Sequence, residues 1–326
     1  MNNSVDMNSP GMKLAREIIK GRRLGRGDDL SDLCREELEN LCAGADLIRK
    51  ELCGNKVDLC TIINGRSGRC SENCKFCAQS CHYNTSVNEY PFMESDDILA
   101  DAKKIEATGV GRYSIVTAGR SIKGEEFEKA VSAYQRLSAE TNLKLCASHG
   151  FQTVEEYRRL KEAGADRAHC NIETSKRFFP FICTTHTYED KIANIKRAQE
   201  AGLNVCSGGI FGMGETLADR IDMAFDLAEL GITSIPINIL RPIPGTPFQD
   251  LPAITNEEVL RSVAIFRYIN PEAFVRIAAG RGQFEDGGAV LFESGANSAI
   301  TGDMLTTTGT DIAYDLAMFE RLGFVL

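Results

Sequence analysis

No apolar run in this sequence approaches the ~20 residues that cross a bilayer, and the opening stretch MNNSVDMNSPGMKLAREIIKG has no apolar signal core. The expectation from these two absences is a cytoplasmic protein with no membrane partner. Lys and Arg nowhere cluster densely enough to make a phosphate-binding surface, and the net charge is −9, which argues against nucleic acid. There is no Pro- or Ser-rich linker and no low-complexity stretch at which to divide the chain. Histidine is scarce: His82, His149, His169 and His186 are the whole supply, and none forms a His-x-His pair. Zinc knuckles usually need such a pair or a second CxxC, so that class is disfavoured.

Cysteine, by contrast, is plentiful. Twelve cysteines in a cytoplasmic chain call for an explanation other than disulfides. Some serve as small buried apolar residues; Cys34 and Cys42, on a helical pattern, are examples. Cys70, Cys74 and Cys77 are different, because they stand as CxxxCxxC in the run Arg69-Cys-Ser-Glu-Asn-Cys-Lys-Phe-Cys-Ala78. Thiolates at these spacings converge on one face of a tight loop, fill three corners of a cuboidal iron–sulfur cluster and leave the fourth iron open. Ferredoxin-type carriers close all four corners with cysteine, so the open iron argues for catalysis. Phe76 would set an aromatic face beside the cluster. A cysteine-rich iron–sulfur protein also points to life with little oxygen.

Hydrophobic residues at 43% and charged residues at 25% suit a large globular core. Helical patterns run from Ser9 to Leu24 and from Ser31 to Leu52. A beat of short strand and amphipathic helix follows. Its strand candidates are Val57–Asn64, Arg112–Thr117, Leu143–Ser148, Arg167–Glu173, Asn204–Phe211, Ser234–Leu240, Phe274–Ala279 and Ala289–Phe292. Eight such units predict an α/β fold, a (βα)8 TIM-type barrel over residues 53–326 with an N-terminal helical flank over 1–52. Chemistry in such barrels sits at the carboxyl ends of the strands, and the cysteine loop follows the first strand directly.

A second constellation lies on the strands. Cys146, Cys170 and Cys206 fall on the third, fourth and fifth candidates; with adjacent strands ~4.8 Å apart, three inward thiols would span about 10 Å, the scale of a cluster. Arg276 on the seventh would enter the same interior. The loop Gly208-Gly-Ile-Phe-Gly-Met-Gly-Glu215 lets backbone approach a flat ligand. Asn171 and Glu173 alternate on strand four, and Asn238 is a polar residue in an apolar run that must find backbone or ligand partners.

CxxxCxxC with an aromatic before its last cysteine is the signature of radical S-adenosylmethionine enzymes. The segments Tyr-Asn-Thr-Ser (83–86), Asn-Ile-Glu-Thr-Ser (171–175), Val-Cys-Ser-Gly-Gly-Ile (205–210), Ile-Asn-Ile-Leu (237–240), Val-Arg-Ile-Ala-Ala-Gly-Arg (275–281) and Gly-Ala-Asn-Ser (295–298) closely resemble the biotin synthase family, in order, from about residue 40 onward. The resemblance implies a [4Fe-4S] cluster on Cys70, Cys74 and Cys77 that binds S-adenosylmethionine and cleaves it to a 5′-deoxyadenosyl radical. The radical would abstract hydrogen from C9 and then C6 of dethiobiotin, and an auxiliary cluster would supply the sulfur that closes the ring to biotin. It further implies a flavodoxin or ferredoxin electron donor and a homodimer. By position, Asn171 and Glu173 match ribose and substrate contacts, Gly208, Ile210, Gly212 and Glu215 the adenine-side loop, and Asn238 a ureido contact. Thr306 and Thr307 match the region holding the substrate carboxylate. Lys191 stands where the family has an arginine facing the methionine carboxylate; the charge survives but the fork does not.

One departure is larger. The family's auxiliary [2Fe-2S] site uses three cysteines and an arginine, and the resemblance assigns Cys146, Cys206 and Arg276 to three of these. The strand-two cysteine is Ser114 here, a hard and poor substitute for a thiolate. Cys170 is extra. The resulting expectation is a four-iron auxiliary cluster on Cys146, Cys170 and Cys206, with [2Fe-2S] as the alternative and Arg276 as a neighbour of the cluster. The competing functions are a radical barrel enzyme without sulfur insertion, of maturase or mutase type, and a non-catalytic cluster carrier.

Overall fold

The structure is a computed structural model, and it describes residues 5–306 and 309–326. The flank consists of α1 (Pro10–Ile19), α2 (Ser31–Arg35) and α3 (Leu38–Cys53). Then come β1 (Asp58–Arg66), α4 (Ser95–Glu106), β2 (Arg112–Thr117), α5 (Gly124–Glu140), β3 (Lys144–Ser148), α6 (Val154–Glu162) and β4 (Ala165–His169). The second half runs α7 (Phe179–Ile182), α8 (Tyr188–Glu200), β5 (Asn204–Cys206), β6 (Gly209–Phe211), α9 (Leu217–Glu229), β7 (Ser234–Ile239), α10 (Asn256–Ile269) and β8 (Phe274–Ile277). It ends with α11 (Ala289–Phe292), β9 (Ser298–Ile300) and α12 (Ile312–Arg321).

Every strand pairing within the sheet is parallel, in the order β5-β4-β3-β2-β1-β9-β8-β7-β6, and Cys206 of β5 opposite Ser234 of β7 closes the ring. β5 and β6 are two halves of one barrel strand, so the expected eight-stranded (βα)8 barrel is what forms. The break between them falls at Ser207-Gly208, where a Cβ on Gly208 would stand 1.9 Å from the Pro236 carbonyl oxygen. Helices α6, α8, α9 and α10 each begin with a Thr whose hydroxyl accepts from the backbone three residues on, while a Glu or Asp there reaches back. These capping boxes fix where each crossover leaves the catalytic face.

One strand differs from expectation. Ala289–Phe292 is the short helix α11, and the eighth barrel position is taken by β9, three residues with only small neighbours before it. A four-residue apolar run does not by itself distinguish helix from strand. The N-terminal patterns hold as helices, although the second is broken between Arg35 and Leu38.

The flank is fastened to the barrel through α10. The hydroxyl of fully buried Tyr268 donates to the carbonyls of Gly11 (3.1 Å) and Leu41 (3.4 Å). A Cβ at Gly44 would lie 1.9 Å from that hydroxyl. Gly44→Ala is therefore expected to destabilise by about 1–3 kcal/mol through overpacking, overriding the gain of about 1 kcal/mol that alanine brings to a helix interior. The check is urea denaturation of the cluster-free protein; a raised midpoint would mean that the flank is not clamped at Tyr268.

Candidate active site

The loop after β1 carries Cys70, Cys74 and Cys77 at the mouth of the barrel. Its base is tied shut: Cys70 N donates to Gln79 O (2.9 Å), Cys81 N to Cys70 O (2.8 Å) and Gly68 N to Gln79 Oε1 (3.0 Å). Arg69 turns the chain with φ +52°, and Cys77 N donates to Cys74 O (3.0 Å). Burial pushes the Cys77 thiol up to about 11 and raises Cys70 as well. Such thiols become ligands when a metal supplies the compensating charge. Phe76 and Cys77 form part of the wall of a cavity of about 310 Å³ that descends into the barrel.

Strand alternation decides what else reaches that cavity, because successive side chains point to opposite faces. Cys60 and Ile62 of β1, Arg112, Ser114 and Val116 of β2, and Cys146 and Ser148 of β3 line it. So do Arg167 and His169 of β4, Asn171 and Glu173 just beyond it, and Cys206, Asn238 and Arg276. Burial, reinforced by the neighbouring thiols, pushes Cys146 up to about 12, and burial takes Cys60 to about 11. Cys206 is buried too, yet its interaction with His169, helped by Arg276 and Arg167, brings it down to about 6. Of the strand-borne thiols in the cavity, Cys206 is the one whose surroundings favour the thiolate.

Beneath the thiols lies a charged floor. Arg276 Nη2 donates to Asp58 Oδ2 at 2.6 Å, and its Nη1 to the Asp58 and Ala299 carbonyls at 2.9 and 3.0 Å. Arg112 Nε and Arg167 Nη1 each stand 3.7 Å from the same carboxylate oxygen. Among the described residues the buried Nε atoms of Arg112 and Arg167 have no hydrogen-bond partner. Arg112 Nη1 also donates to Asp166 Oδ2 at 2.8 Å, so three guanidinium groups face two carboxylates and leave an excess of one positive charge close to Cys60, Cys146 and Cys206. Soft thiols over a cationic floor with orphaned donors fit an anionic, thiophilic group such as an iron–sulfur cluster.

One expectation needs correction here. Cys170 does not face the cavity: it is buried against the helical layer, accepting from Asn194 Nδ2 of α8 at 3.3 Å. Asn171 and Glu173 share the inward face, so Cys170, one residue out of step with both, must point away. The third cavity thiol is Cys60, which sequence reasoning missed; its signal was a cysteine on the first strand, two residues before the inward Ile62. Arg276 is a neighbour of the thiols with both terminal nitrogens engaged by Asp58 and carbonyls.

The remaining predicted residues divide. Asn171 Oδ1 accepts from Gly208 N (3.0 Å), leaving its amide nitrogen for the cavity. Asn238 finds backbone partners on both sides, donating to Gly209 O (3.2 Å) and accepting from Ala279 N (3.2 Å). Glu173 sits at φ +70°, a strained conformation for a non-glycine residue, and Lys191 Nζ approaches its Oε1 to 3.7 Å. Burial works against the Lys191 charge, but Cys170, Glu173 and Cys74 more than offset it and raise its pKa. Ile210 lines the cavity, whereas Glu215 turns away to clamp its own loop, accepting from Gly212 N (2.8 Å), Met213 N (2.7 Å) and Arg220 Nε (2.7 Å). Thr306 lines the cavity mouth; Thr307 lies outside the described residues.

This barrel and loop are those of a radical S-adenosylmethionine enzyme: the Radical SAM superfamily model matches residues 66–227, and the Biotin and Thiamin Synthesis associated domain model matches residues 236–325. The fold is shared with a methylornithine synthase structure (TM-score 0.82, 20% identity, 95% of this chain and 96% of that one). It is also shared with HydG, a maturase of the [FeFe]-hydrogenase (TM-score 0.81, 15% identity, 96% of this chain and 74% of that one). Proteins named biotin synthase from Clostridium beijerinckii and Alkaliphilus metalliredigens are 61% and 57% identical, each over 96% of this chain and 99% of the relative. The chain belongs to the biotin synthase family. Membership implies a [4Fe-4S] cluster, S-adenosylmethionine and an auxiliary iron–sulfur cluster. Among the described residues no helix is long and apolar enough to cross a membrane.

The floor generates a test. Burial opposes the Asp58 charge, but Arg276, Arg112 and Arg167 hold its carboxyl below the usual range. Asp58→Asn would strand buried guanidinium groups and should cost at least about 3 kcal/mol in chemical denaturation of the cluster-free protein at neutral pH. Because the folded-state pKa is lowered, the wild-type advantage is full above the unfolded value of about 4 and is lost as pH falls through the folded value. A variant equal to wild type at pH 7 would contradict the assigned role of the floor.

Proposed function

We propose that this chain forms biotin by inserting sulfur between C6 and C9 of dethiobiotin. The supporting observation is a single cavity with Cys77 and Phe76 at its mouth and Cys60, Cys146 and Cys206 above an arginine floor. Cys70, Cys74 and Cys77 would hold the [4Fe-4S] cluster; Cys60, Cys146 and Cys206 would hold the auxiliary one. When bound, the first supplies the electron that splits S-adenosylmethionine and the second supplies sulfur.

Three thiols with Ser114 in place of a fourth suit a four-iron auxiliary cluster with one iron free of protein ligands, rather than a [2Fe-2S] type. The chain's own residues bind, orient and exclude water. Glu173, fixed by Gly208 and Ile210 backbone bonds (3.0 and 2.9 Å), with Lys191 beside it, offers a charged pair for the polar ends of S-adenosylmethionine. The amide nitrogen of Asn171, and Asn238 with its backbone-held amide, line the space where a ureido ring would lie. Ile62, Val116, Ile210, Ile239 and Ile300 make the middle of the cavity apolar, which favours the hydrocarbon part of dethiobiotin and keeps a reactive radical from solvent. Thr306 and Thr307 are assigned to the substrate carboxylate. A flavodoxin or ferredoxin as electron donor, a homodimer, a cytoplasmic location, an anaerobic setting and a division at residues 52/53 complete the reading.

Anaerobic reconstitution with iron and sulfide, followed by assay with dethiobiotin, S-adenosylmethionine and a reductant, tests it. Biotin is expected, with about two 5′-deoxyadenosines per biotin because two C–H bonds are broken. Cys60→Ala should lower biotin formation at least a hundredfold while 5′-deoxyadenosine still forms. Cleavage of S-adenosylmethionine without biotin in the wild-type enzyme would instead favour a radical enzyme of maturase or mutase type.

A further inference from the structure

Beside the cysteine loop, and outside the cavity lining, stands a set of donors that sulfur insertion leaves unused. Cys183 follows α7 and His186 comes one turn later; both are buried. Cys183 Sγ lies 3.7 Å from Cys74 Sγ and 3.3 Å from His186 Nδ1. The ligand atoms of Cys74, Cys183 and His186 all fall within 4.8 Å of one another. Behind them Glu72 Oε2 is 2.6 Å from His186 Nδ1, and Arg120 Nη1 is 3.1 Å from the same oxygen.

The two segments are pinned by backbone, so this proximity does not depend on flexible side chains alone. Lys75 N donates to Ile182 O (2.9 Å), and Asn73 Oδ1 accepts from Thr184 N (2.9 Å) and Thr185 N (3.2 Å). Two thiols and one imidazole are the donor types of tetrahedral thiophilic sites. With metal–ligand bonds of about 2.0–2.3 Å, tetrahedral donors sit roughly 3.3–3.8 Å apart, which the 3.7 Å separations of Cys183 Sγ from Cys74 Sγ and from His186 Nε2 match. With Nε2 facing the cation, Glu72 on Nδ1 (2.6 Å) occupies the position of the carboxylate that orients a metal-bound histidine.

We propose that in the cluster-free enzyme Cys74, Cys183 and His186 bind one thiophilic divalent cation, Zn²⁺ or Fe²⁺, at a site exclusive with the [4Fe-4S] cluster. Binding releases the thiol protons to solvent and needs no electron. Exclusivity rests on the reading of Cys74 as a cluster ligand; cation binding itself does not. A bound zinc ion would thus hold the loop and oppose cluster assembly until it is removed.

The test is an anaerobic titration of full-length, reduced, chelator-stripped protein with Co²⁺. One equivalent should give thiolate-to-cobalt charge-transfer absorption and the intense visible bands of a tetrahedral ion, displaced by stoichiometric Zn²⁺; a parallel Fe²⁺ competition shows which cation is held more tightly. Cys183→Ser and His186→Ala should each weaken binding at least tenfold, and Glu72→Gln by about tenfold. Cys70→Ser and Cys77→Ser should stay within twofold of wild type. Preloaded Zn²⁺ should slow iron incorporation in wild type and not in Cys183→Ser. Cobalt that is lost with Cys70→Ser and kept with Cys183→Ser, or only weak octahedral spectra in wild type, would overturn the proposal. Neither result depends on biotin formation, so the two readings fail separately.

Discussion

The carboxylate of Asp58 is the point on which the interior of the barrel depends. It draws together Arg112 of β2, Arg167 of β4 and Arg276 of β8, and thereby links four strands across the closed ring. A barrel interior filled by apolar side chains would be a plugged core. Here two carboxylates, Asp58 and Asp166, and three arginines occupy the lower layer with the cavity above it, and they set its potential. The excess positive charge favours negative occupants, while His169 favours the thiolate of Cys206. Geometry and electrostatics at the base of the cavity therefore have one source.

The mouth is built differently. The CxxxCxxC loop carries little regular structure and is shaped by backbone bonds between Cys70 and the Gln79–Cys81 segment. Burial raises the Cys70 and Cys77 thiols above the ordinary cysteine value. The floor and the closed loop bracket an apolar middle lined by Ile62, Val116, Ile210, Ile239 and Ile300.

Much of this was legible in the sequence, for reasons that differ by element. The crossover helices could be read from their amphipathic patterns; four of them, α6, α8, α9 and α10, also begin with a Thr-x-x-Glu or Thr-x-x-Asp box. The catalytic loop could be read because its spacing is itself the chemistry. The last barrel strand could not: Ser298–Ile300 has no apolar run of its own, while Ala289–Phe292 has one and is helical. Cys170 was misassigned although its step relative to Asn171 and Glu173 already placed it on the outer face. Cys60 was overlooked because it does not align with the expected strand-two cysteine; the closed barrel brings β1 into the same ring. Cys183 and His186 carried no motif, and only folding sets them beside Cys74. Glu215 was expected at a ligand, but a carboxylate three residues after Gly212 is well placed to satisfy its own loop.

The central claim is that strand parity makes Cys60, Cys146 and Cys206 the ligands of a four-iron auxiliary cluster. Removing the first cluster with Cys70→Ala, Cys74→Ala and Cys77→Ala isolates the second for Mössbauer spectroscopy with iron and sulfide counts. The account predicts about four irons per chain, abolished by adding Cys60→Ala and retained on adding Cys170→Ala. A [2Fe-2S] spectrum, or a cluster lost with Cys170→Ala and kept with Cys60→Ala, would contradict it.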